Sequence, residues 1–200
     1  TGCTINRKSD DSTVLWLSKY DDSNTAAGCS MTLNNCNVSC GVLVSTDGKA
    51  TINGGTYNIP GEKMGIVATG AVCITGGEFT TQIVASTNGS ITIENGTFNL
   101  GERKFISAAG GDITIEDGTF DSYLQAQTGS LTIKGGTFTG LVGALNGNIT
   151  IEDGTFTGQA VALSANAPKY TGVLNITGGV FAKEPQGATG SLYKLSAEGA

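Results

Sequence analysis

The sequence contains no histidine, and this absence narrows the chemistry that is open to the chain. Histidine is the commonest general base near neutral pH and the commonest neutral metal ligand, so we expect no metal site. Charged residues make up only 14% of the chain, with a formal net charge of −6. Nucleic-acid binding needs basic patches, and no apolar run is long enough to cross a bilayer. We therefore expect neither a nucleic-acid partner nor membrane insertion.

Proline is also scarce, with 3 residues, whereas glycine is abundant, with 31. Many of the glycines belong to a repeated stretch, of which residues 112–120, DITIEDGTF, are the clearest copy. Residues 148–156 repeat it almost unchanged. Looser copies lie at residues 31–38, 50–57, 72–79, 90–98, 130–138 and 173–181.

Within one copy, apolar and polar residues alternate, which is the pattern of a strand with one buried face. Ile113 and Ile115 are expected to point inward, and Phe120 is expected to do so after a corner. The first corner residue is Gly, Asn or Asp in every copy, the residue types that tolerate a positive φ, so we expect the left-handed conformation there. The second corner residue is Gly in every copy except one, where it is Cys36.

A second strand-like run separates consecutive copies, and its first and third residues are expected to face inward. In the last run this pattern selects Val161 and Leu163 as inward residues. The outward column is then predicted to be Trp16, Leu43, Val67, Val84, Ser107, Gln125, Gly143 and Ala162. None of these is charged, so the column is a candidate contact surface, with its apolar end at Trp16, Leu43, Val67 and Val84.

Copies of this length, built from short strands and glycine-rich corners, indicate a solenoid. We predict an all-β parallel β-helix of about eight turns, each with three short strands. A single domain should span residues 1–200, with an incomplete turn at 1–13, repeats over 14–195 and a tail at 196–200. We expect the chain to be a fragment of a longer protein, or to be capped by a partner, because exposed ends of a parallel sheet invite further pairing.

The cysteines are concentrated near the start of the chain. Cys3, Cys29, Cys36 and Cys40 are disulfide candidates, whereas Cys73 is the odd residue out. At least one disulfide among the four would join the turns with the poorest repeats and would place the protein in an oxidising, extracellular setting. Free thiols packed as small hydrophobic groups are the alternative.

With its glycine corners and inward phenylalanines, the chain resembles right-handed parallel β-helix proteins of the pectate-lyase-like superfamily. It is most similar to the Gly-Gly-Thr-Phe repeat regions of secreted bacterial surface proteins, as at residues 135–138. The resemblance implies the right-handed coil and a cell-surface location. It also implies a range of activities, from polysaccharide lyases and hydrolases to adhesin stalks and glycan binders without catalytic activity.

Enzymes of that superfamily carry acidic residues on the first-strand face, where they bind calcium or act as acid and base. Here the corresponding column contains Glu94, Glu116, Lys134 and Glu152. The histidine of the hydrolase pattern is absent, and the only arginines, Arg7 and Arg103, lie outside the repeat strands. A solvated charged column is therefore favoured over a catalytic one, no cofactor is expected, and calcium stays an alternative.

The leading hypothesis is an extracellular structural or adhesive module without catalytic activity, which binds a glycan, another protein domain or a second copy of itself. A polysaccharide lyase or glycoside hydrolase is the alternative. Ice binding is the third hypothesis, because the repeat also produces threonine columns at Thr92, Thr114, Thr132 and Thr150 and at Thr97, Thr119, Thr137 and Thr155.

Overall fold

The chain forms a parallel β-solenoid, as the repeat predicts. The computed structural model describes residues 4–5, 14–17, 30–45, 48–59, 65–101, 104–163, 170–189 and 194–195. One sheet has 16 strands and the other has 8, and the paired strands within both are parallel. We count about 7 turns instead of eight, since the described strands at either end complete only part of a turn.

The strands follow one another in a regular order. The first twelve are β1 Thr4–Ile5, β2 Val14–Leu17, β3 Ser30–Val38, β4 Gly41–Val44, β5 Lys49–Tyr57, β6 Ile66–Ala68, β7 Ala71–Phe79, β8 Ile83–Ser86, β9 Ser90–Ile93, β10 Thr97–Phe98, β11 Phe105–Ala109 and β12 Asp112–Ile115. The other twelve are β13 Thr119–Phe120, β14 Tyr123–Ala126, β15 Ser130–Ile133, β16 Thr137–Phe138, β17 Val142–Ala144, β18 Asn148–Ile151, β19 Thr155–Phe156, β20 Ala160–Ala162, β21 Val173–Ile176, β22 Val180–Phe181, β23 Ala188–Thr189 and β24 Lys194–Leu195.

A turn contains three strands, as β9, β10 and β11 show. The first two belong to the larger sheet, which bends at the corner between them, and the third belongs to the smaller sheet. In the first turns, β3, β5 and β7 run through the corner as single strands of 9 residues. Among the described residues there is no α-helix, and no helix is long and apolar enough to cross a membrane.

The core is made of apolar side chains that lie in columns from turn to turn. Phe120, Phe138 and Phe156 occupy consecutive turns in register and are at most 1% exposed, which confirms the predicted register. Their rings belong to a continuous stack that also contains Tyr57, Phe79, Phe98 and Phe181. Neighbouring ring centroids are 4.5 to 4.8 Å apart, close to the ~4.8 Å that separates paired strands. The ring spacing therefore follows directly from strand pairing.

Tyr57 takes the first place in this ring stack. Its side chain is 0% exposed, and its hydroxyl donates a long hydrogen bond of 3.5 Å to the carbonyl oxygen of Gly54. Burial raises the pKa of Tyr57 to about 12. The phenol is therefore neutral at physiological pH, and the ring serves as part of the core.

The left-handed corner residue is the second of the pair, and our expectation for the first one was wrong in most turns. A positive φ occurs at the second corner glycine in seven turns, as at Gly118 and Gly136. At the first position it occurs only at Asn35 and Gly54. Elsewhere an Asn or Asp in the first position accepts a hydrogen bond from the next amide, as from Gly118 N to Asp117 Oδ1 at 2.7 Å. The Asx side chain stabilises the corner without adopting the left-handed conformation itself.

The inward residues of β20 also differ from the prediction. Ala160 and Ala162 are 0% and 1% exposed and face the core, while Val161 takes the outer position opposite Gly143. The expected outward position of Ala162 was therefore wrong by one residue. The spacing from the inward phenylalanine decides this register, because Ala160 lies four residues after Phe156, as Val142 does after Phe138. Hydrophobicity alone favoured the larger Val161.

The cysteine prediction is changed in one respect. Cys40 is a free thiol that is 2% exposed, so its assignment as a disulfide candidate was wrong, and Cys73 is free as well. Cys36 is buried and is not one of these free thiols. Cys3 and Cys29 lie outside the described residues, so a disulfide among the remaining three cysteines stays a prediction.

Candidate functional site: a hydroxyl-rich face and its groove

The most regular exposed feature is a column of threonines on the face formed by the short strands after the corner. Thr97, Thr119, Thr137 and Thr155 pair in register on β10, β13, β16 and β19, and all four are exposed. Each precedes an inward phenylalanine, so the alternation of the strand directs it to solvent. Within the described part of the chain, none of these four hydroxyls has a hydrogen-bond partner. They are free to bind a ligand.

The neighbouring column on the same face, which includes Thr80 and Thr139, is hydrogen-bonded to adjacent turns. Thr139 donates hydrogen bonds to Asp121 Oδ1 at 2.9 Å and to the carbonyl oxygen of Phe120 at 3.4 Å. Thr80 donates in the same way to Asn58 Oδ1 at 3.0 Å. These bonds join adjacent turns and hold the edge of the face in place. The exposed threonine column is therefore supported by an ordered polar border.

A shallow groove of about 540 Å³ lies along the corner beside the start of this column. Its side chains come from three successive turns and include Thr56, Thr75, Glu78, Asn95 and Thr97. Asn95 Oδ1 accepts a hydrogen bond from Gly96 N at 2.7 Å, which leaves the side-chain amide group as a donor. The groove therefore places hydroxyl, amide and carboxylate groups within one small volume.

Glycine main chain forms the rest of the groove wall. Gly76 is the important position, because a Cβ built there would meet no heavy atom within 4 Å. Its φ lies outside the left-handed range, so a side chain at this position would enter open space at the wall of the groove without backbone strain. The groove is not evident from the sequence. The only signal for it was the Gly-Gly corner at residues 76–77, which we interpreted as turn chemistry alone.

The predicted acidic column lies at the corner, between the two faces of the larger sheet. Lys134 Nζ donates to Glu116 Oε1 at 2.8 Å, and both side chains are 42% exposed. The hydrogen bond to Glu116 raises the pKa of Lys134, and the charge of Glu152 on the next turn raises it further. Exposed ion pairs of this kind contribute little to stability. The structure thus brings Glu116, Lys134 and Glu152 together as a solvated surface cluster.

Glu94 is placed differently from the other two glutamates. It accepts a weak hydrogen bond from the Cys73 thiol, with an Sγ to Oε1 distance of 3.6 Å. Burial raises the pKa of Cys73, and the charge and hydrogen bond of Glu94 add to the effect. The protonated thiol is therefore the favoured form, and Cys73 is not an activated nucleophile.

The outer face of the smaller sheet is less open than the sequence suggested. Leu43, Val67 and Val84 pair in register and are half-buried. Trp16 pairs with Leu43 through the backbone, but its side chain is outside the described part of the structure. The large hydrophobic residues that are exposed in the described part of the chain are Leu141, Val173 and Leu195, and all three lie outside this column.

Farther along the same face, the outer positions Ser107, Gln125 and Gly143 are buried. Ser107 is 0% exposed and accepts a hydrogen bond at 3.1 Å from Gln125 Nε2. A Cβ at Gly143 would lie 3.0 Å from the Tyr123 hydroxyl oxygen and 3.2 Å from its ring. The Tyr123 side chain therefore covers Gly143, and burial raises the pKa of this tyrosine. This role of Tyr123 could not be predicted, because nothing in its own strand indicates that its side chain extends over a neighbouring turn.

Comparisons with protein-family models, with curated proteins and with solved structures give no significant match. The similarity to the pectate-lyase-like superfamily is thus a likeness of repeat pattern, and the parallel β-solenoid is what the structure itself establishes.

Proposed function

We propose that the chain is an extracellular module without catalytic activity that presents a glycan-binding face on a stiff solenoid. The observation that carries this proposal is the in-register column of exposed threonines that begins at the groove. Threonine hydroxyls both donate and accept hydrogen bonds, as sugar hydroxyls do. The column repeats at the strand spacing of ~4.8 Å, so it offers an extended ligand the same contact in every turn.

The groove supplies the more specific part of the proposed site. Its volume of about 540 Å³ lies within the ~300–1,000 Å³ that is usual for small-molecule sites. Glu78 is an acceptor, the Asn95 amide is a donor, and Thr56 and Thr97 can act as either. Such a set suits the vicinal hydroxyls of a sugar. Because the net charge is −6, an uncharged glycan is favoured over a polyanion.

The solenoid also suits a structural or adhesive role. The inner positions of the described turns form one continuous hydrophobic cluster, and the aromatic rings within it stack from turn to turn. Each turn is covered by its neighbours, so stability is a property of the array. A face mounted on such an array keeps its spacing when a bound polymer pulls on it.

Filling the groove at Gly76 tests the proposal. Gly76→Tyr should abolish binding to an uncharged glycan while leaving the melting temperature within about 2 °C, because the new ring enters open space. Binding is measured by affinity electrophoresis and calorimetry against xylan, mannan and β-glucan. Polygalacturonate serves as the anionic comparison.

Two matched variants separate occlusion from other effects. Gly76→Ala adds only a methyl group at the same position and should retain binding. Thr137→Tyr places a tyrosine ring on the exposed threonine column, away from the groove. It should weaken binding less than Gly76→Tyr does. If the wild-type protein binds none of these glycans, the glycan proposal is wrong.

The alternative function is polysaccharide cleavage, favoured only by the Glu116, Lys134 and Glu152 cluster. The same glycans, recovered after incubation with the protein and calcium, distinguish it by their length on a sizing column. Shortened chains would support an enzyme, and unchanged chains would support binding alone.

Ice binding is the third candidate, and Glu78 places a charge in the threonine column that an ice-like plane would lack.

A protein partner would use the outer face of the smaller sheet. Val84 points outward and is half-buried, so Val84→Lys should leave folding almost unchanged. It should weaken self-association, measured by sedimentation, or binding to neighbouring domains, measured by pull-down. Gly76→Tyr is the matched control, because it changes the opposite sheet. If neither measurement responds to Val84→Lys, this face is not an interface.

A further inference from the structure

The structure narrows which of the five cysteines can form a disulfide. Cys40 and Cys73 are free thiols, and Cys36 is not among the free thiols of the described residues. Cys36 is 1% exposed and stands at the corner, opposite Gly55 of the next turn. Any disulfide partner of Cys36 must therefore be Cys3 or Cys29.

Strand register favours Cys3. Strand β1 pairs in parallel with β3, with Thr4 opposite Asn37 and Ile5 opposite Val38. Cys3 directly precedes Thr4, and Cys36 directly precedes Asn37. The same register, continued by one residue beyond β1, would bring Cys3 opposite Cys36, across a strand spacing of ~4.8 Å. This separation falls within the ~4.4–6.8 Å between Cα atoms that a disulfide bridges.

Strand length excludes Cys29. It directly precedes Ser30, the first residue of β3, and Cys36 lies near the other end of the same strand. Even the straight part from Ser30 to Asn34 covers about 13 Å at ~3.3 Å per residue. One further peptide unit of ~3.8 Å cannot return the chain to Cys36. Because Ser30 and Cys36 are separated by much more than that one unit, a Cys29–Cys36 disulfide, which needs Cα atoms ~4.4–6.8 Å apart, does not fit this strand.

We propose that Cys3 and Cys36 form a disulfide that joins β1 to β3 and closes the first turn of the solenoid. Its formation removes two protons and two electrons from the two thiols, and an external disulfide takes them up and becomes two thiols. Such an oxidant is present in extracellular and secretory compartments. The disulfide rests on the extracellular location in the proposed function and extends it. Its test involves no glycan, so the disulfide proposal and the glycan-binding proposal can fail separately.

Intact-mass analysis decides the proposal. The protein is refolded with oxidised and reduced glutathione, then denatured and alkylated without further reductant. We expect three modified thiols, Cys29, Cys40 and Cys73, and five after reduction. Proteolysis should release one linked pair of peptides that contains Cys3 and Cys36. Five modified thiols without reduction, or a linkage through Cys29, would overturn the assignment.

Two serine variants provide a second readout. Cys3→Ser should show four modified thiols and a lower melting temperature than the wild type under non-reducing conditions, and the difference should disappear in reductant. Cys29→Ser is the matched control and should keep the linkage, with two modified thiols and an unchanged melting temperature. Loss of the linkage in Cys29→Ser, with retention in Cys3→Ser, would refute the proposed pairing.

Discussion

Replacing Phe138 with alanine is expected to lower the free energy of unfolding by ~3–5 kcal/mol. The Phe138 ring is 0% exposed and lies between the rings of Phe120 and Phe156, at centroid distances of 4.8 and 4.6 Å. Truncation would remove both ring contacts and leave a cavity that strand pairing on either side prevents from collapsing. Offset aromatic pairs also contribute ~0.5–1.5 kcal/mol beyond burial.

The measurement is equilibrium unfolding in urea, together with hydrogen exchange of the amides in the adjacent turns. Exchange should rise most in β13 and β19, because these strands pair directly with β16. Phe138→Leu should cost less than alanine, since it retains most of the buried volume. Thr137→Ala changes the exposed neighbour and should cost under ~1 kcal/mol. A loss for Phe138→Ala as small as that of Thr137→Ala would contradict the packing argument.

Gly136→Ala is expected to destabilise the solenoid by ~2 kcal/mol or more, although it adds only a methyl group. The backbone at Gly136 has φ +106, a conformation that costs other residues ~1–3 kcal/mol. The new Cβ would also lie 2.9 Å from the carbonyl oxygen of Gly118, an atom of the preceding turn. That oxygen already accepts the hydrogen bond from Thr137 N at 2.8 Å, so it cannot withdraw without weakening the ladder between turns.

Gly76→Ala is the matched control for this substitution. It belongs to a first corner position, has no heavy atom within 4 Å of the added Cβ and does not have a positive φ. We expect its free energy of unfolding to stay within ~0.5 kcal/mol of the wild type, or to rise slightly because the unfolded chain loses freedom. Both variants are compared by thermal and urea unfolding. Equal losses for Gly136→Ala and Gly76→Ala would mean that the two corner positions do not differ as the structure indicates.

The sequence alone determined the architecture of this protein. Alternation in Ile113, Thr114 and Ile115 identified the inward face, and near-identical copies required the same side chains to stack in successive turns. The stack of Phe120, Phe138 and Phe156 follows from that repetition, because a parallel ladder in register places equivalent residues directly opposite each other. Such features depend on a local pattern with a fixed period, which can be recognised before any tertiary contact is known.

Tertiary structure decided the details that depend on atoms from another turn. The left-handed conformation falls on the second corner glycine because its Cα faces the main chain of the preceding turn, as Gly136 faces Gly118. The composition of the corner did not distinguish the two positions. Similarly, Val161 and not Ala162 faces outward, since hydrogen bonding to the previous turn sets the register and residue size does not.

The candidate site was decided in the same way. Exposed threonines were evident from the repeat, but the groove at Gly76 exists only where three turns meet without a side chain to fill the space. On the outer face of the smaller sheet, the burial of Gly143 likewise depends on the position of the Tyr123 side chain over the next turn. A repeat determines which residues share a column, whereas the free space between columns is set by how far each side chain extends over neighbouring turns.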